Sequence, residues 1–167
     1  MRTSANIKVF FVDDDEAFRE PLKKYLEREC FPLVSIKTFE TGEDCLKAMD
    51  EMPDMVILDF FLNNRIKEAM NGLGILKLLS SKYPNIPVIM LSSQDDVSIA
   101  VQMINSGAFD YVTKSASAFV RIKNLIENIA NNKNSNIELK RKVSIYKTIN
   151  LIVIILLILL FIITRYT

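Results

Sequence analysis

Short apolar runs alternate with amphipathic stretches along the first 130 residues of the chain. The apolar runs are nearly continuous, which is typical of buried strands, whereas the stretches between them carry apolar residues at helical spacing. The predicted strands are 7–12, 33–39, 54–59, 86–91 and 109–113. The predicted helices are 16–29, 42–50, 72–82, 95–106 and 117–130. This alternation predicts an α/β fold of five βα units, in which helices cover both faces of a parallel sheet.

The pattern changes near the C-terminus, where a run of thirteen apolar residues occupies 151–163. With its neighbours, the low-polarity segment covers 148–164, and as a helix it would be roughly 25 Å long, against a hydrocarbon core of about 30 Å. We therefore expect a transmembrane helix. A buried core helix is the alternative. A coiled coil is less suitable, because its outer positions would be polar and this run contains no polar residue. The predicted organisation is a domain at 1–130, a polar and basic linker at 131–147, the transmembrane helix, and a tail at 165–167. A helix that continues from the domain into 137–147 is the alternative to a linker.

Basic residues are more numerous before this apolar run than after it. Four of them lie on its N-terminal side: Lys140, Arg141, Lys142 and Lys147. Under the positive-inside rule, this asymmetry predicts a single-pass, C-terminally anchored protein of the cell inner membrane with its N-terminal domain in the cytoplasm. The same four residues are expected to contact anionic membrane lipid.

Composition excludes several classes of function. The net charge is +1, so no overall positive field favours nucleic acid as a partner. The chain contains no histidine, which excludes a Ser-His-Asp or Cys-His triad and any histidine-ligated metal. Its two cysteines, Cys30 and Cys45, lack the spacing of a metal or redox site. Any phosphohistidine chemistry therefore needs a phosphohistidine supplied by another protein.

Chemically reactive side chains lie at the ends of four of the five predicted strands. Three acids, 13–15, follow the first strand, Asp59 ends the third, Ser92 follows the fourth, and Lys114 follows the fifth. In an open parallel sheet, ligands bind beyond these carboxyl ends. Because converging carboxylates repel one another, we expect a hard divalent cation such as Mg²⁺ among them. With the hydroxyl and the ammonium group nearby, this set suits attack of Asp59 on a phosphoryl group.

Four stretches resemble motifs of the receiver domain of two-component response regulators. They are VDDDEAFR at 12–19, MVILDFFL at 55–62, PVIMLSS at 87–93 and SGAFDYVTK at 106–114. The resemblance covers roughly residues 6 to 130 and implies a flavodoxin-like, doubly wound sheet with strand order 2-1-3-4-5. It also implies a phosphorylation switch and not an enzyme acting on free substrates, since the domain would catalyse only its own phosphoryl transfer and dephosphorylation.

The resemblance implies roles for the acidic residues. Asp59 would be the phosphoacceptor. Asp13, Asp14 and Asp59, together with the backbone carbonyl of Phe61, would hold the Mg²⁺ ion.

The remaining implied roles concern the phosphoryl group and the switch. Ser92 and Lys114 would contact the phosphoryl group, and Tyr111 would be a rotamer switch or simply a partly buried strand aromatic. Phe61 and Gln94 occupy positions that tune the lifetime of the phosphorylated form. A bulky Phe61 is expected to hinder the attacking water, which predicts a long-lived phosphoform.

Two features depart from the family pattern. Lys114 is followed by Ser115 where proline is usual, and the loop at 63–71 is longer than is typical. Because a cis bond before a residue other than proline costs about 2.5–4 kcal/mol, we expect a trans bond here and a different placement of Lys114. Both features support an alternative function, a degenerate receiver that serves as a phosphorylation-independent, membrane-tethered docking module.

The leading hypothesis is a membrane-anchored response-regulator receiver. A histidine kinase or phosphotransfer protein would donate the phosphoryl group to Asp59, and the new charge would draw Ser92 inward. This would switch a surface formed by the fourth helix, fifth strand and fifth helix. That surface would bind an unidentified output protein or a second copy of the chain in a homodimer.

Overall fold

The structure is a computed structural model that describes residues 6–62 and 70–166, with side chains described as far as 154. Most of the long loop expected at 63–71 therefore lies outside the described residues. Contacts divide the chain into two units, Met1–Ala130 and Asn131–Thr167.

The first unit contains a five-stranded parallel sheet. Its strands are β1 (Ile7–Val12), β2 (Val34–Phe39), β3 (Met55–Asp59), β4 (Val88–Ser92) and β5 (Asp110–Thr113). All neighbouring pairs are parallel, and the strand order is β2-β1-β3-β4-β5. Every residue of β3 and β4 is buried, as near-continuous apolar runs require when helices cover both faces of a sheet. The predicted flavodoxin-like α/β fold and strand order are confirmed.

Helices follow the strands in turn. They are α1 (Glu16–Glu29), α2 (Gly42–Lys47), α3 (Gly72–Lys82), α4 (Val97–Asn105) and α5 (Ala118–Tyr166), with a 3₁₀ turn at Met49–Glu51 after α2. Four helices begin after a residue whose side chain accepts a hydrogen bond from a backbone N–H of the first turn: Asp15, Thr41, Asn71 and Asp96. Such caps satisfy amide groups that have no partner within the helix. They place the start of each of these helices beside the carboxyl end of a strand, where the reactive residues lie.

Two apolar clusters form the core. One contains Leu22 and Leu26 of α1 with Ile122 and Ile126 of α5, and the other contains residues of α2, α3 and α4, including Ile75. Successive strand residues alternate between the two clusters, as the period of a β-strand requires. The sheet is therefore held between two helical layers.

The C-terminal part of the chain is helical, but a membrane span is not supported. The predicted linker at 131–147 lies within α5. Among the residues that the structure describes, no helix combines the length and the apolar character needed to cross a membrane. The transmembrane helix predicted at 148–164 is therefore not supported. The uninterrupted apolar run, 151–163, would be only about 20 Å long as a helix, shorter than a hydrocarbon core of about 30 Å.

Candidate functional site

The register of the sheet brings the predicted site residues to one edge. Val12 pairs with Leu58, Asp59 with Leu91, and Ser92 with Thr113. The residues that end these strands or directly follow them are Asp13, Asp59, Ser92 and Lys114. The arrangement follows directly from a parallel sheet, because the carboxyl ends of all its strands lie at the same edge.

Three carboxylates converge at this edge. Asp13 and Asp59 are almost completely buried, and Asp14 is half-buried. One carboxylate oxygen from each of the three lies within 4.8 Å of the others. Carboxylates at this separation repel one another unless a positive charge lies among them.

Lys114 supplies that positive charge in this structure. Its Nζ lies 2.9 Å from Oδ2 of Asp13 and 3.2 Å from Oδ2 of Asp59. The ammonium group also lies 4.9 Å from the centre of the Phe18 ring, a cation–π contact, and the side chain is only 12% exposed. The backbone N–H of Lys114 donates to the carbonyl of Ser92 at 2.7 Å, and the bond between Lys114 and Ser115 is trans. Ion pairs, an aromatic face and a backbone bond thus hold the lysine where the usual proline is absent.

Burial and mutual repulsion change how the acids bind protons. Burial, reinforced by the carboxylate of Asp59, raises the pKa of Asp13 to about 6, although Lys114 acts in the opposite direction. Burial also raises the pKa of Asp59, again opposed by Lys114. Burial lowers the pKa of Lys114, but its pairing with the two acids outweighs this and leaves that pKa raised. The site therefore has an excess of negative charge that one lysine does not fully offset.

A hard divalent cation fits this arrangement. Oδ1 of Asp59 is buried and has no hydrogen-bond partner among the described residues. Carboxylate oxygens are the donors that Mg²⁺ prefers, and a magnesium ion commonly takes one or two of them and keeps several waters. The fourth predicted ligand belongs to Phe61, a half-buried residue two positions after Asp59. The donors at this edge are thus of the chemical kind that Mg²⁺ requires.

The turn after β3 is tightly packed around Asp59. The N–H of Phe60 donates to the carbonyl of Leu91 at 2.8 Å, and the N–H of Gly72 donates to the carbonyl of Phe60 at 3.2 Å. A Cβ atom at Gly72 would lie 2.2 Å from the carbonyl oxygen of Asp59, so only glycine fits there. The start of α3 therefore lies directly against the backbone of the predicted phosphoacceptor.

Ser92, Gln94 and Tyr111 form a connected group beside the acids. The Oγ of Ser92, which is fully buried, accepts from the N–H of Gln94 at 3.1 Å. The hydroxyl of Tyr111 donates to the carbonyl of Gln94, and its ring is packed in the apolar cluster that includes Met103 of α4. The segment between β4 and α4 thus links the predicted switch hydroxyl to the predicted switch aromatic.

Two residues of α1 that were not predicted also belong to the site. Phe18 faces the ammonium group of Lys114, and Arg19 donates to the backbone carbonyl of Asp13. Arg19 shares the buried face of α1 with Leu22 and Leu26. The signal in the sequence that could have identified Arg19 was its helical spacing from these two leucines. The four members of the predicted basic group at 140–147 lie exposed on α5.

Comparisons with known proteins agree with this geometry. A family model for the response regulator receiver domain matches residues 9–127. The transcriptional regulator NtrC of Proteus hauseri is 36% identical over 107 residues, which are 64% of this chain and 21% of that protein. An NtrX-like response regulator of Rickettsia bellii is 35% identical over 141 residues, which are 82% of this chain and 28% of that protein. The chain therefore spans less than a third of either curated relative.

Solved structures show the same architecture. The crystal structure of the receiver domain of NtrX from Brucella abortus aligns with a TM-score of 0.60 at 25% identity, covering 71% of this chain and 96% of that one. On the extent of the family match and the relatives that share it, the chain belongs to the response regulator receiver domain family.

Proposed function

We propose that the chain is a phosphorylation switch in which Asp59 accepts a phosphoryl group from a histidine kinase or phosphotransfer protein. The observation that carries the proposal is the convergence of Asp13, Asp14 and Lys114 on the buried carboxylate of Asp59. A histidine donor has to come from a partner, because the chain contains no histidine.

In the transfer step, a carboxylate oxygen of Asp59 forms a bond to phosphorus as the bond between phosphorus and the donor's imidazole nitrogen breaks. The nitrogen leaves with the electron pair, and the donor is released with an unmodified histidine. Lys114 would pair with an oxygen of the incoming phosphoryl group, and the hydroxyl of Ser92 would donate to another. Asp13, Asp14, Asp59 and the Phe61 carbonyl would hold Mg²⁺, which supplies positive charge toward the phosphoryl oxygens when it is bound.

The switch would use the connection from Ser92 to Tyr111. Movement of the Ser92 hydroxyl toward a phosphoryl group would disturb its hydrogen bond from Gln94 and, through the Gln94 carbonyl, the bond from Tyr111. The neighbouring surface is apolar, since Val97 and Val101 of α4 are exposed. We propose this face, formed by α4, β5 and the start of α5, as the place where an output protein or a second copy binds.

Phe61 and Gln94 are proposed to set the lifetime of the phosphorylated form. Both follow strands that end at the site, and the ring of Phe61 packs edge-on against Phe60 with centroids 4.7 Å apart. We propose that the Phe61 ring limits the approach of water to a phosphoryl group on Asp59. We therefore expect slow loss of the phosphoryl group, and replacement of Phe61 by alanine is expected to shorten its lifetime.

Membrane anchoring is not part of this proposal, because the described helices include none that could cross a membrane. Contact of Lys140, Arg141, Lys142 and Lys147 with lipid, and a location at the cell inner membrane, stay predictions.

The proposal can be tested by incubating the full chain with acetyl phosphate labelled on its phosphoryl group. We expect stable label in the presence of Mg²⁺ and none with EDTA. Asp59→Asn is expected to abolish labelling, whereas Asp95→Asn, which alters an exposed aspartate beyond β4, is expected to keep it. Label retained in Asp59→Asn would contradict the proposal. An unaltered chain that takes no label would instead support the phosphorylation-independent docking module.

A further inference from the structure

We propose that Arg19 is a positioning residue for the magnesium site, because its guanidinium group orients the peptide bond that joins Asp13 to Asp14. The inference rests on the proposed function, since the orientation of these acids matters to chemistry only if they bind the ion. It concerns a residue that contacts the backbone of a predicted ligand and not the predicted ion itself.

The contacts of Arg19 link three segments. Its Nη1 donates to the carbonyl oxygen of Asp13 at 2.5 Å, and its Nη2 lies 3.3 Å from Oε1 of Glu40, just after β2. Its own backbone N–H donates to the carbonyl of Asp15 at 2.9 Å. The side chain therefore reaches from the first turn of α1 back to the beginning of the acidic loop.

The burial of Arg19 carries a desolvation cost that its ion pair does not recover. The side chain of Arg19 is 8% exposed, whereas that of its carboxylate partner Glu40 is 69% exposed. A guanidinium group that is withdrawn from water and paired with a largely solvated carboxylate recovers little of its desolvation cost. An apolar residue beside Leu22 on this face would cost less, so the fold alone does not account for a charge here.

Arg19 bonds the backbone carbonyl of Asp13, for which no other hydrogen bond is found among the described residues. The N–H of Asp13 donates to the carbonyl of Phe39 at 3.0 Å, and its carboxylate accepts from the N–H of Asp15 and pairs with Lys114. These contacts fix the strand end and the carboxylate. The carbonyl of Asp13, and with it the plane of the peptide that leads to Asp14, is held by Arg19. Without that bond the peptide can rotate and carry the Asp14 carboxylate away from the other two.

The experiment measures the dissociation constant of Mg²⁺ by isothermal titration calorimetry on the full chain and on four variants. Arg19→Met removes the hydrogen bond to the carbonyl of Asp13, and Arg19→Lys keeps the positive charge on a shorter side chain. Glu40→Gln removes only the ion pair. Arg28→Met is the matched control, since Arg28 lies on the same helix, is 73% exposed and pairs with Glu29. Urea unfolding in EDTA reports the stability of each variant separately.

We expect Arg19→Met to raise the dissociation constant of Mg²⁺ about tenfold, as loss of groups that support metal ligands generally does. Arg19→Lys is expected to raise it about threefold, because the shorter ammonium side chain bonds the carbonyl of Asp13 less well than the planar guanidinium group does. Glu40→Gln and Arg28→Met are expected to leave it unchanged. The rate of labelling by acetyl phosphate in Arg19→Met should recover when Mg²⁺ is raised to saturation, and urea unfolding in EDTA shows whether the variant is folded before the ion is added.

An unchanged dissociation constant in folded Arg19→Met would overturn the inference, and so would an equal weakening in Glu40→Gln. If Arg19→Met does not fold, Arg19→Lys decides the question, and wild-type affinity in that variant overturns it. Failure of the unaltered chain to bind Mg²⁺ would contradict the proposed function as well, whereas unchanged binding in the Arg19 variants contradicts this inference alone.

Discussion

At the scale of single residues, Lys114 balances the charge of the site. Its ammonium group is paired with both Asp13 and Asp59 and is itself largely withdrawn from water. Such a group stabilises buried carboxylates while no cation is bound, and it is then available to a phosphoryl oxygen. One residue therefore serves the stability of the resting protein and the proposed chemistry.

Replacement of Lys114 by methionine leaves two buried carboxylates without their partner. We expect the free energy of unfolding in EDTA to fall by about 3 kcal/mol, the usual cost of removing one member of a buried ion pair. Lys123→Met is the control, because Lys123 pairs with Glu127 four residues away on α5, and we expect a loss of about 0.5 kcal/mol or less. Urea unfolding monitored by circular dichroism measures both. Equal losses in the two variants would contradict the proposed role of Lys114.

The site residues that could be predicted from sequence are those at strand ends. Asp13, Asp59, Ser92 and Lys114 follow apolar runs, so their approximate position depended only on the parallel sheet. Arg19 does not follow a strand, and its helical spacing from Leu22 and Leu26 was a weak signal, because a charged residue within an amphipathic helix is usually on its solvated face. Its contact with a carbonyl across the loop depends on tertiary packing.

At the scale of elements, the turn between β3 and α3 carries the strongest steric constraint near the site. The backbone of Gly72 lies so close to Asp59 and Phe60 that there is no space for a side chain. Gly74, two positions further into the same helix, is different, since the nearest atom to an added Cβ would be Oδ1 of Asn71 at 3.5 Å. We therefore expect replacement by alanine to have opposite effects on stability at these two glycines.

We expect Gly72→Ala to lower the free energy of unfolding by about 2 kcal/mol or more, because the added methyl group meets backbone that cannot move aside cheaply. Gly74→Ala is expected to raise it by about 1 kcal/mol, the difference in helix propensity between the two residues. Chemical denaturation of the two variants beside the unaltered chain tests the pair. A stable Gly72→Ala variant with unchanged labelling would show that the turn tolerates displacement.

The bounds of every element except the end of the last helix were predictable to within a few residues. The bounds of α1 and α3 are as predicted, and those of β1 as well, because caps and apolar spacing marked them clearly. The second helix ends earlier than expected, at Lys47, and tightens into a 3₁₀ turn before Met52, whose φ of 50° ends it. The last helix continues to Tyr166 through a segment whose polar composition is typical of a linker. Composition alone does not distinguish a solvated helix from a loop.

At the scale of the whole molecule, the acidic edge makes stability depend on pH. The pKa of Asp13 is about 6 in the folded protein, against an ordinary value of 3.8, and that of Asp59 is also raised. Between these two values the folded state binds more protons than the unfolded state, so the free energy of unfolding falls as the pH rises through this window. The contribution of these groups is most unfavourable above pH 6.

We therefore expect the metal-free chain to lose stability between pH 4 and pH 7 relative to an Asp13→Asn variant, which lacks the titrating group. Comparison with that variant cancels the contribution of exposed acids such as Asp44, whose pKa is lowered by Lys47. Denaturation in EDTA across this range measures the difference. A difference in the free energy of unfolding that stays constant with pH would contradict this explanation from the raised pKa of Asp13. Added Mg²⁺ is expected to offset the loss in the unaltered chain, because it binds the ionised acids.

The fold of the first unit was predictable because its alternating pattern admits few arrangements. The transmembrane prediction, by contrast, depended on one apolar run near the lower limit of a membrane span, and the described helices do not support it. Hydropathy at such a length does not decide between a membrane span and other apolar surroundings. The match to the receiver domain family covers residues 9–127 and does not include that segment.

Asp59 is the residue proposed to carry the phosphoryl group. The most direct test is to phosphorylate the full chain with acetyl phosphate and Mg²⁺, reduce it with borohydride, and map the peptides by mass spectrometry. Borohydride converts an aspartyl phosphate to homoserine, so the account predicts homoserine at position 59 and unmodified aspartate at positions 13 and 14. Homoserine at another position, or a phosphoryl group that resists reduction on Ser92, would contradict it.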